Sequence, residues 1–503
     1  MKNKIIKIGF ATGIVALSLV SCSKDYLELD PNDAGLSLSE NYYRNEAECF
    51  SGLVSVYDIL KKNSGGFENM IAMMNAGSDD HYAGGGGATD GVGIQSFSNF
   101  TMSGTTIPES FWNDHYQGIT RANILIARVP GADMSQAKKD RFIAEAKALR
   151  AIYYFNLVRM FKNIPLIVEQ LTPGNMYSQP QAAPSAVYTQ IENDLTDAIA
   201  VLPTTLSSEE LGRLSKGGAK AMLGKVYLYQ GKNALAATQL ADVNGTPGST
   251  SSYGYKLLNN FSDLWVTTNK FNTESIIEAT HTSAGNSYWG IWGSGQDEGN
   301  TLNVMCGPRG YVRINATAPD LPSGWSFNMI TQDLYNVLQS DPRFNATILD
   351  LKTMKQNGDV DYIAGYQDTG YFLNKFVPRQ SDVTTGQGDA VLNYKQDTYI
   401  IRLADTYLME AEALGGTGAR AQALLDAVRA RVGLPSVPVS MDAIKTERRK
   451  ELAGEGHRFF DLVRWGEAAS KLSSRGFVAG KNEVFPIPYK ELQNTQIVQN
   501  PGY

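Results

Sequence analysis

Residues 141–161 read RFIAEAKALRAIYYFNLVRMF, and this stretch decides the fold class. Its apolar residues recur at spacings of three and four, which is the repeat of one face of an α-helix. They are Phe142, Ala146, Leu149, Tyr153, Leu157 and Phe161. Arginine and lysine lie on the other face, so the pattern predicts a long amphipathic helix.

The same helical periodicity recurs on both sides of this segment. It covers residues 112–129, 186–201, 218–229, 397–414, 419–431 and 441–453. Several segments carry small residues at positions where helices touch, as in GAKAMLGKVYL at 218–228. Antiparallel helix pairs that stack in this way form a solenoid of the tetratricopeptide type. The sequence therefore predicts a mainly α-helical scaffold.

Between the helical segments lie stretches rich in Gly, Ser, Thr, Asn and aromatic residues. Loops of this length are usually functional or disordered, and their Trp and Tyr content argues against disorder. No long linker divides the chain, so we predict one large domain over 39–503. Its helical scaffold is expected mainly at 39–62, 111–243 and 397–470, and its loop-rich ligand face at about 77–110 and 244–396.

The first residues have the form of a lipoprotein signal peptide. Three lysines precede an apolar run over 8–20, and small residues lead to Cys22. The run is too short for a permanent transmembrane helix, and a cysteine directly after it is the residue that a bacterial lipoprotein pathway acylates. We predict removal of residues 1–21, lipidation at Cys22 and a polar tether over 22–38. No later stretch offers about 20 uninterrupted apolar residues, so the lipid is the expected membrane anchor.

Composition excludes several classes of site. Without residues 1–21 the chain carries 42 Lys and Arg against 51 Asp and Glu, so nucleic acid is not an expected partner. Four His and the cysteines Cys49 and Cys306 form no CxxC, HExxH or His cluster, which predicts no cofactor and no transition-metal site. The two cysteines either pair or remain buried free thiols, and the second alternative is favoured.

A second motif stands near the C-terminus, EGHRFFDLVRW at 455–465, preceded by ERRKEL at 447–452. Its charged residues are three apart, Arg458 with Asp461 and Asp461 with Arg464, and this spacing predicts ion pairs on one helix. Together with the cysteine of the lipoprotein signal, the motif resembles the SusD/RagB family. Further matching stretches are YQGITRAN at 116–123, EAKALRAIYY at 145–154, DPR at 341–343 and FPIP at 485–488.

The resemblance implies both a fold and a function. The fold is a right-handed superhelix of tetratricopeptide-like helix pairs with long inserted loops and a few short strands. The function is to capture oligosaccharides or polysaccharides on the cell surface, at the outer membrane, and to deliver them to a SusC-like TonB-dependent transporter. A peptide-binding receptor of the RagB kind, which works with the same type of transporter, is the alternative.

A site for a neutral oligosaccharide needs exposed aromatic rings that stack on the sugar and polar groups that bind its hydroxyls. Tyr288, Trp289 and Trp292 lie in a Gly-rich loop, where a bulky ring has no helix face to cover. The resemblance places a binding loop there, after a strand-like segment at 274–279. In a helical turn both tryptophans share one face, whereas in an extended loop they point apart. The alternative for either ring is packing against the helical core.

Two further loops supply candidates. Asp80 and Tyr82 precede a run of four glycines, and we predict that Asp80 binds sugar hydroxyls and that Tyr82 stacks on the sugar. The acidic residues of that loop would also permit a structural Ca²⁺, which the sequence does not require. Trp325 lies in a third loop with Arg309. It ranks below the other tryptophans because it directly precedes a helix expected at 327–338 and could pack as the staple of that helix.

Catalysis is not expected. A glycosidase needs two carboxylates that converge across a cleft, and close acidic pairs such as Asp79 with Asp80 arise by chance among 51 acidic residues. No such pair has a GxSxG elbow or a metal motif of an enzyme around it. A scaffold that holds a protein partner is a third class of function, which buried loop aromatics would favour.

Overall fold

A computed structural model describes residues 42–285, 287–290, 292 and 297–503. The predicted signal peptide at 1–21, the acylation site Cys22 and the tether at 22–38 lie outside the described residues, so these stay predictions. Among the helices that are described, none has both the length and the apolar character that a bilayer span requires.

Most of the regular structure in the described residues is α-helical. The helices in chain order are α1 (Glu46–Tyr57), α2 (Met70–Ala76), α3 (Val92–Ser98), α4 (Ser110–Arg128), α5 (Gln136–Phe161), α6 (Pro184–Val201), α7 (Lys216–Tyr229), α8 (Asn233–Asn244), α9 (Thr301–Cys306), α10 (Gln332–Leu338), α11 (Phe344–Thr347), α12 (Leu351–Gln356), α13 (Leu403–Ala413), α14 (Gly418–Arg431), α15 (Met441–Glu451), α16 (Arg458–Arg464) and α17 (Ala468–Leu472). The helices predicted within the scaffold segments are confirmed at nearly the predicted bounds.

The short strands form two-stranded antiparallel sheets. They are β1 (Ile164–Pro165) with β2 (Gln181–Ala182), β3 (Ser275–Ala279) with β8 (Thr398–Arg402), β4 (Val312–Arg313) with β6 (Val360–Asp361), and β5 (Ile348–Asp350) with β7 (Tyr371–Leu373). The strand predicted at 274–279 is therefore confirmed. The helix predicted over 397–414 is wrong in its first turn, because the β-branched and aromatic run at 398–401 pairs with β3 and the helix begins at Leu403.

Successive helices pack against one another in chain order. Helix α1 packs on α4, α4 on α5, α5 on α6, α6 on α7, and α7 on α8. The row continues as α8 packs on α13 and α13 on α14. Each helix is covered by the next one, which is the arrangement of a helical solenoid. The predicted mainly α-helical superhelix with long inserted loops is confirmed, and the insert between α8 and α13 carries most of the strands.

Helix α5 is more deeply buried than its sequence pattern predicts. Alanines at 144, 146, 148 and 151 are at most 3% exposed, and they let α4 and α6 pack on opposite sides of the helix. The polar face of α5 is therefore covered by neighbouring helices and does not face solvent. Glu145 is fully buried and binds Arg141 and Arg213, while Arg150 binds Asp194 of α6 at 2.7 Å. Buried charges need such partners, because an unpaired charge in the interior costs several kcal/mol.

The C-terminal motif joins the end of the scaffold to the loop that follows α2. Asp461 binds Arg464 at 2.8 Å, as predicted, and also Arg448 of α15 at 3.1 Å. The predicted pair between Arg458 and Asp461 is wrong. Arg458 is the first residue of α16, and its guanidinium reaches Asp79 at 2.8 Å because α16 packs on α2. The motif thus acts as a structural joint.

The two cysteines are free and buried, as the favoured alternative predicted. Cys49 lies in α1 and Cys306 ends α9. Burial raises the pKa of the Cys306 thiol well above its usual value, so this group is a weak nucleophile and a core residue.

Buried histidines predict how stability depends on pH. His81, His115 and His281 are at most 4% exposed, and burial lowers the pKa of the first two to about 4 and that of His281 to about 3. Unfolded histidine titrates near pH 6.5, so below that pH the unfolded chain takes up protons that the folded chain does not. We expect the urea midpoint to fall as the pH is lowered from about 7 to about 5.

A buried carboxyl opposes the loss of stability at low pH, so a variant is needed that isolates the contribution of one histidine. Burial raises the pKa of Glu278 to about 8, so this carboxyl stabilises the folded chain as the pH falls through the same range. His115→Gln removes one histidine, whose ring bonds the Phe111 carbonyl and Asn156. We expect a shallower dependence of the urea midpoint on pH in this variant, and an unchanged slope would contradict the assignment.

Candidate functional site

Five aromatic side chains from three separate loops meet at one place, which we call the aromatic cluster. They are Phe67, Trp289, Trp292, Trp325 and Phe327. The Trp289 and Trp325 rings stack with centroids 6.0 Å apart and an interplanar angle of 30°. Trp292 meets both of them edge-on at 5.3 and 5.9 Å. Such ring pairs stabilise each other by about 0.5–1.5 kcal/mol beyond burial, so the rings are held in fixed orientations.

The outer part of the cluster faces solvent. Tyr288 and Trp289 are each 50% exposed, whereas Trp292 and Trp325 are partly buried beneath them. A turn holds the two tryptophans of the first loop together, since the Trp292 N–H donates to the Tyr288 carbonyl at 3.1 Å. The alternative in which these rings share one face is therefore the observed one. Trp289 is further positioned by its backbone N–H, which donates to the Asp389 carboxylate at 3.0 Å.

Trp325 belongs to the cluster rather than to the helix that follows it. The helix begins at Gln332, so the predicted staple does not form. The Trp325 N–H donates to the Val304 carbonyl at 2.8 Å, and the Trp325 carbonyl accepts from the Arg309 guanidinium at 3.2 Å. Arg309 also binds Asp90 at 3.2 Å. Arg309 therefore positions the tryptophan backbone from the side of the cluster.

The glycine-rich loop at 84–91 covers the inner side of the cluster. Gly85 has φ +90°, and a Cβ there would lie 2.5 Å from the Phe327 ring. Gly91 has φ +68°, and a Cβ there would lie 2.5 Å from the Phe67 ring. Both positions require glycine on two grounds, the left-handed backbone and the close ring. Gly85 and Gly91 therefore serve packing against the aromatic rings.

A pocket of about 590 Å³ opens beside the aromatic cluster, and we call it the acidic pocket. Phe67 and Trp292 form part of its wall, so the pocket and the cluster are continuous. The remaining wall comes from the segment after α1, the end of the glycine-rich loop at 84–91, the start of α4 and the loop before α9. Its charged lining residues are Asp58, Lys61, Lys62, Glu68, Asp90, Asp114 and Asp297.

Neither Asp80 nor Tyr82 contributes a ring contact to the aromatic cluster among the described residues, and the expectation for Asp80 needs correction. Asp80 is 1% exposed and binds Arg449 at 2.6 Å. Burial raises the pKa of this carboxyl, against the lowering effect of the Arg449 charge. A buried, ion-paired carboxylate has no free face for sugar hydroxyls, so Asp80 is a structural residue.

Tyr82 is braced by a cation. The Arg475 guanidinium lies 4.6 Å from the centre of the Tyr82 ring, and it also donates to the Ser78 carbonyl at 2.6 Å. Both contacts fix the loop after α2. Tyr82 therefore supports that loop, and its ring makes no contact with Trp289, Trp292 or Trp325 among the described residues.

A Ca²⁺ site at the same loop does not fit its charges. Asp79 and Asp80 are neutralised by Arg458 and Arg449, which occupy the positions that a cation would take. Within the described ranges, no group of three or more His, Cys, Asp or Glu is arranged to hold a metal ion.

Sequence reasoning missed Phe67 and Phe327. Phe67 contacts Trp292, Trp325 and Phe327 and so lies at the centre of the cluster. The signal that could have found it is the one that found Trp289, because Phe67 follows Gly65 and Gly66 outside any helix. Phe327 carried no comparable signal, since the segment around it was expected to be helical.

Comparisons with known protein families give two matches. The family described as "SusD family" matches residues 290–476, and the family described as "Starch-binding associating with outer membrane" matches residues 71–228. The matched ranges include α4 to α7 of the scaffold, the Trp325 loop and the C-terminal motif.

Individual relatives match over nearly the whole chain. A solved structure described as a laminarin binding SusD-like protein is 65% identical, with a TM-score of 0.91, covering 92% of this chain and 100% of that one. Surface glycan-binding protein A from Bacteroides thetaiotaomicron in complex with laminarihexaose is 25% identical, with a TM-score of 0.79, covering 91% of this chain and 99% of that one. SusD-like protein P25 of Formosa agariphila is 25% identical, with 97% of both chains covered.

Proposed function

Because this chain belongs to the SusD family, we propose that it is a lipid-anchored receptor that binds a laminarin-type glucan on the aromatic cluster. Cys22 carries the lipid and holds the protein at the outer membrane, facing outward. The bound glycan is handed to a SusC-like TonB-dependent transporter for import. Binding is the whole of its chemistry, and the protein is not an enzyme.

The half-exposed Trp289 ring carries this proposal. A pyranose ring has an apolar C–H face, which an exposed aromatic ring covers in a stacked contact. Trp325 stacks against Trp289 with an angle of 30°, and Trp292 supports both rings edge-on. A rigid platform of this kind loses little side-chain entropy when ligand binds.

Two relatives support a laminarin-type glucan as the ligand. The 65% identical structure is named for laminarin, and the surface glycan-binding protein was solved with laminarihexaose. A peptide receptor would need charge-complementary pockets and free backbone groups along a groove. The aromatic cluster instead presents flat rings, so a glycan is favoured over the peptide ligand of a RagB-type receptor.

The carboxylates near the cluster support binding rather than hydrolysis. A glycosidase needs one protonated and one ionised carboxyl on opposite sides of the scissile bond. Asp90 is bound to Arg309, Asp58 to Arg121 and Lys61, and Asp114 to Lys62. These three carboxylates are engaged in ion pairs and are not placed as a free acid and base pair across a scissile bond.

Affinity electrophoresis tests the proposal directly. The chain from residue 23 onward is run through native gels that contain laminarin, starch, xylan, mannan or no polymer. We expect laminarin to retard the protein and the other polymers to retard it less. Retardation by no polymer, together with binding to a peptide pool, would overturn the glycan assignment in favour of the RagB-type receptor.

A further inference from the structure

The acidic pocket has more negative than positive charge in its wall. Five carboxylates and two lysines line it. Most of the carboxylates have a cation within 3.3 Å. Lys62 binds Asp114 at 3.2 Å, Arg309 binds Asp90 at 3.2 Å, and Asp58 lies 2.7 Å from Lys61 and 3.3 Å from Arg121.

Two lining carboxylates remain without such a cation. Glu68 forms no ion pair with the described residues and accepts one hydrogen bond, from the Ser110 hydroxyl at 3.1 Å. Asp297 is only 6% exposed, and among the described residues no hydrogen bond or ion pair reaches its carboxylate, on which the Lys61 charge acts from farther away. The Asp297 oxygens open on the pocket rather than being sealed in the protein, so a ligand in the pocket can donate the hydrogen bonds that they lack.

Sugar hydroxyls are suitable donors for these groups. An ionised carboxylate only accepts hydrogen bonds, and each free hydroxyl of a hexose can donate one. The pocket volume of about 590 Å³ has room for at least one sugar unit, and the Phe67 and Trp292 wall joins it to the aromatic cluster. A glycan chain stacked on Trp289 can therefore extend into the pocket.

We propose that the acidic pocket is a second sugar subsite that admits neutral sugar units and rejects anionic ones. This inference rests on the proposed function, because it extends the glycan that the aromatic cluster holds. A uronate or sulfate in the pocket would face Glu68 and Asp297, while the lysines among the described lining residues are already engaged by protein carboxylates. The receptor is thereby selective for neutral glucans among mixed polysaccharides that include uronic acid polymers.

Electrostatics sets the expected size of the selectivity. A sugar carboxylate about 6 Å from one unpaired carboxylate is repelled enough to weaken binding roughly tenfold, at a dielectric between those of the protein surface and water. The repulsion is screened by salt, since the Debye length falls from about 30 Å at 0.01 M to about 3 Å at 1 M. Selectivity should therefore shrink as salt is added.

Three ligands distinguish the effect of ligand charge on binding from the effect of ligand shape. Calorimetry compares laminarin, laminarin oxidised at C6 to the uronate, and the methyl ester of the oxidised polymer. We expect the oxidised polymer to bind roughly tenfold more weakly than laminarin at low salt, and the neutral ester to recover most of the affinity. Equal affinities for laminarin and the oxidised polymer, or failure of the ester to recover, would overturn the charge selection.

Two double variants locate the effect. Glu68→Gln with Asp297→Asn keeps similar shapes and removes the two unpaired charges, so the ratio of the two affinities should approach one. Glu169→Gln with Glu209→Gln changes net charge equally at two exposed sites outside the pocket and should leave the ratio unchanged. If both double variants reduce the ratio of laminarin affinity to oxidised-polymer affinity by the same amount, the charge selectivity arises from the net charge of the whole protein. The assignment of that selectivity to the acidic pocket then fails. Absence of laminarin binding to the unsubstituted protein would instead overturn the proposed function, and this inference with it.

Discussion

Trp289→Ala is expected to weaken laminarin binding roughly thirtyfold, which corresponds to about 2 kcal/mol. About 1 kcal/mol of this is the lost stacking between indole and sugar, and the remainder is apolar contact area returned to water. The effect is large because Trp289 is the half-exposed outer ring of the aromatic cluster. The affinity of the soluble protein for laminarin, measured by calorimetry or gel retardation, checks it.

Other variants test whether the rings act as a platform. Trp292→Ala should also lose most of the affinity, because its edge supports both Trp289 and Trp325. Tyr177→Ala is the matched control, since this tyrosine is 62% exposed and lies outside the cluster and the acidic pocket. Full binding by the Trp289 and Trp292 variants would place the glycan elsewhere on the protein.

The helical scaffold was predictable because each helix shows the spacing of apolar residues within its own sequence. The spacing of three and four around Phe142 and Leu149 survives in α5, and similar patterns located α4, α6, α7, α14 and α15. The burial of Glu145 and Arg150 was not predictable. A single helix pattern shows which residues are polar, but only packing by α4 and α6 on both sides decides that those residues lie inside.

The candidate site was predictable only in part. An aromatic residue in a Gly-rich loop has no local core to cover, and this argument found Tyr288, Trp289 and Trp292. Asp80 looked similar in sequence, yet its partner Arg449 lies 369 residues away in the chain. A local sequence pattern does not show such long-range ion pairs. For the same reason the sequence did not predict that Asp297 and Glu68, which are far apart in the chain, line one pocket.

Glu451→Gln is expected to destabilise the fold by about 3–5 kcal/mol, the usual cost of removing one partner from a buried ion cluster. Glu451 is fully buried and binds Arg343 at 2.8 Å, Arg402 at 2.7 Å and Arg431. Burial alone would raise the pKa of this carboxyl, but the three guanidinium groups hold it well below its usual value. Replacing it by a neutral amide removes the one carboxylate that all three guanidinium groups share, and each arginine keeps only its other carboxylate partners.

The position of the cluster explains why the effect should be global. Arg402 ends β8, Arg343 precedes α11, and Glu451 ends α15, so one carboxylate joins the inserted loops to the helical scaffold. Asp361→Asn is the control, because the Asp361 side chain is 58% exposed and its partner Lys355 is 45% exposed, so this surface ion pair should contribute little to stability. Urea unfolding followed by fluorescence compares the two variants. A loss below about 1 kcal/mol for Glu451→Gln would mean that water or neighbouring groups compensate the arginines, since uncompensated buried charges cost more than that.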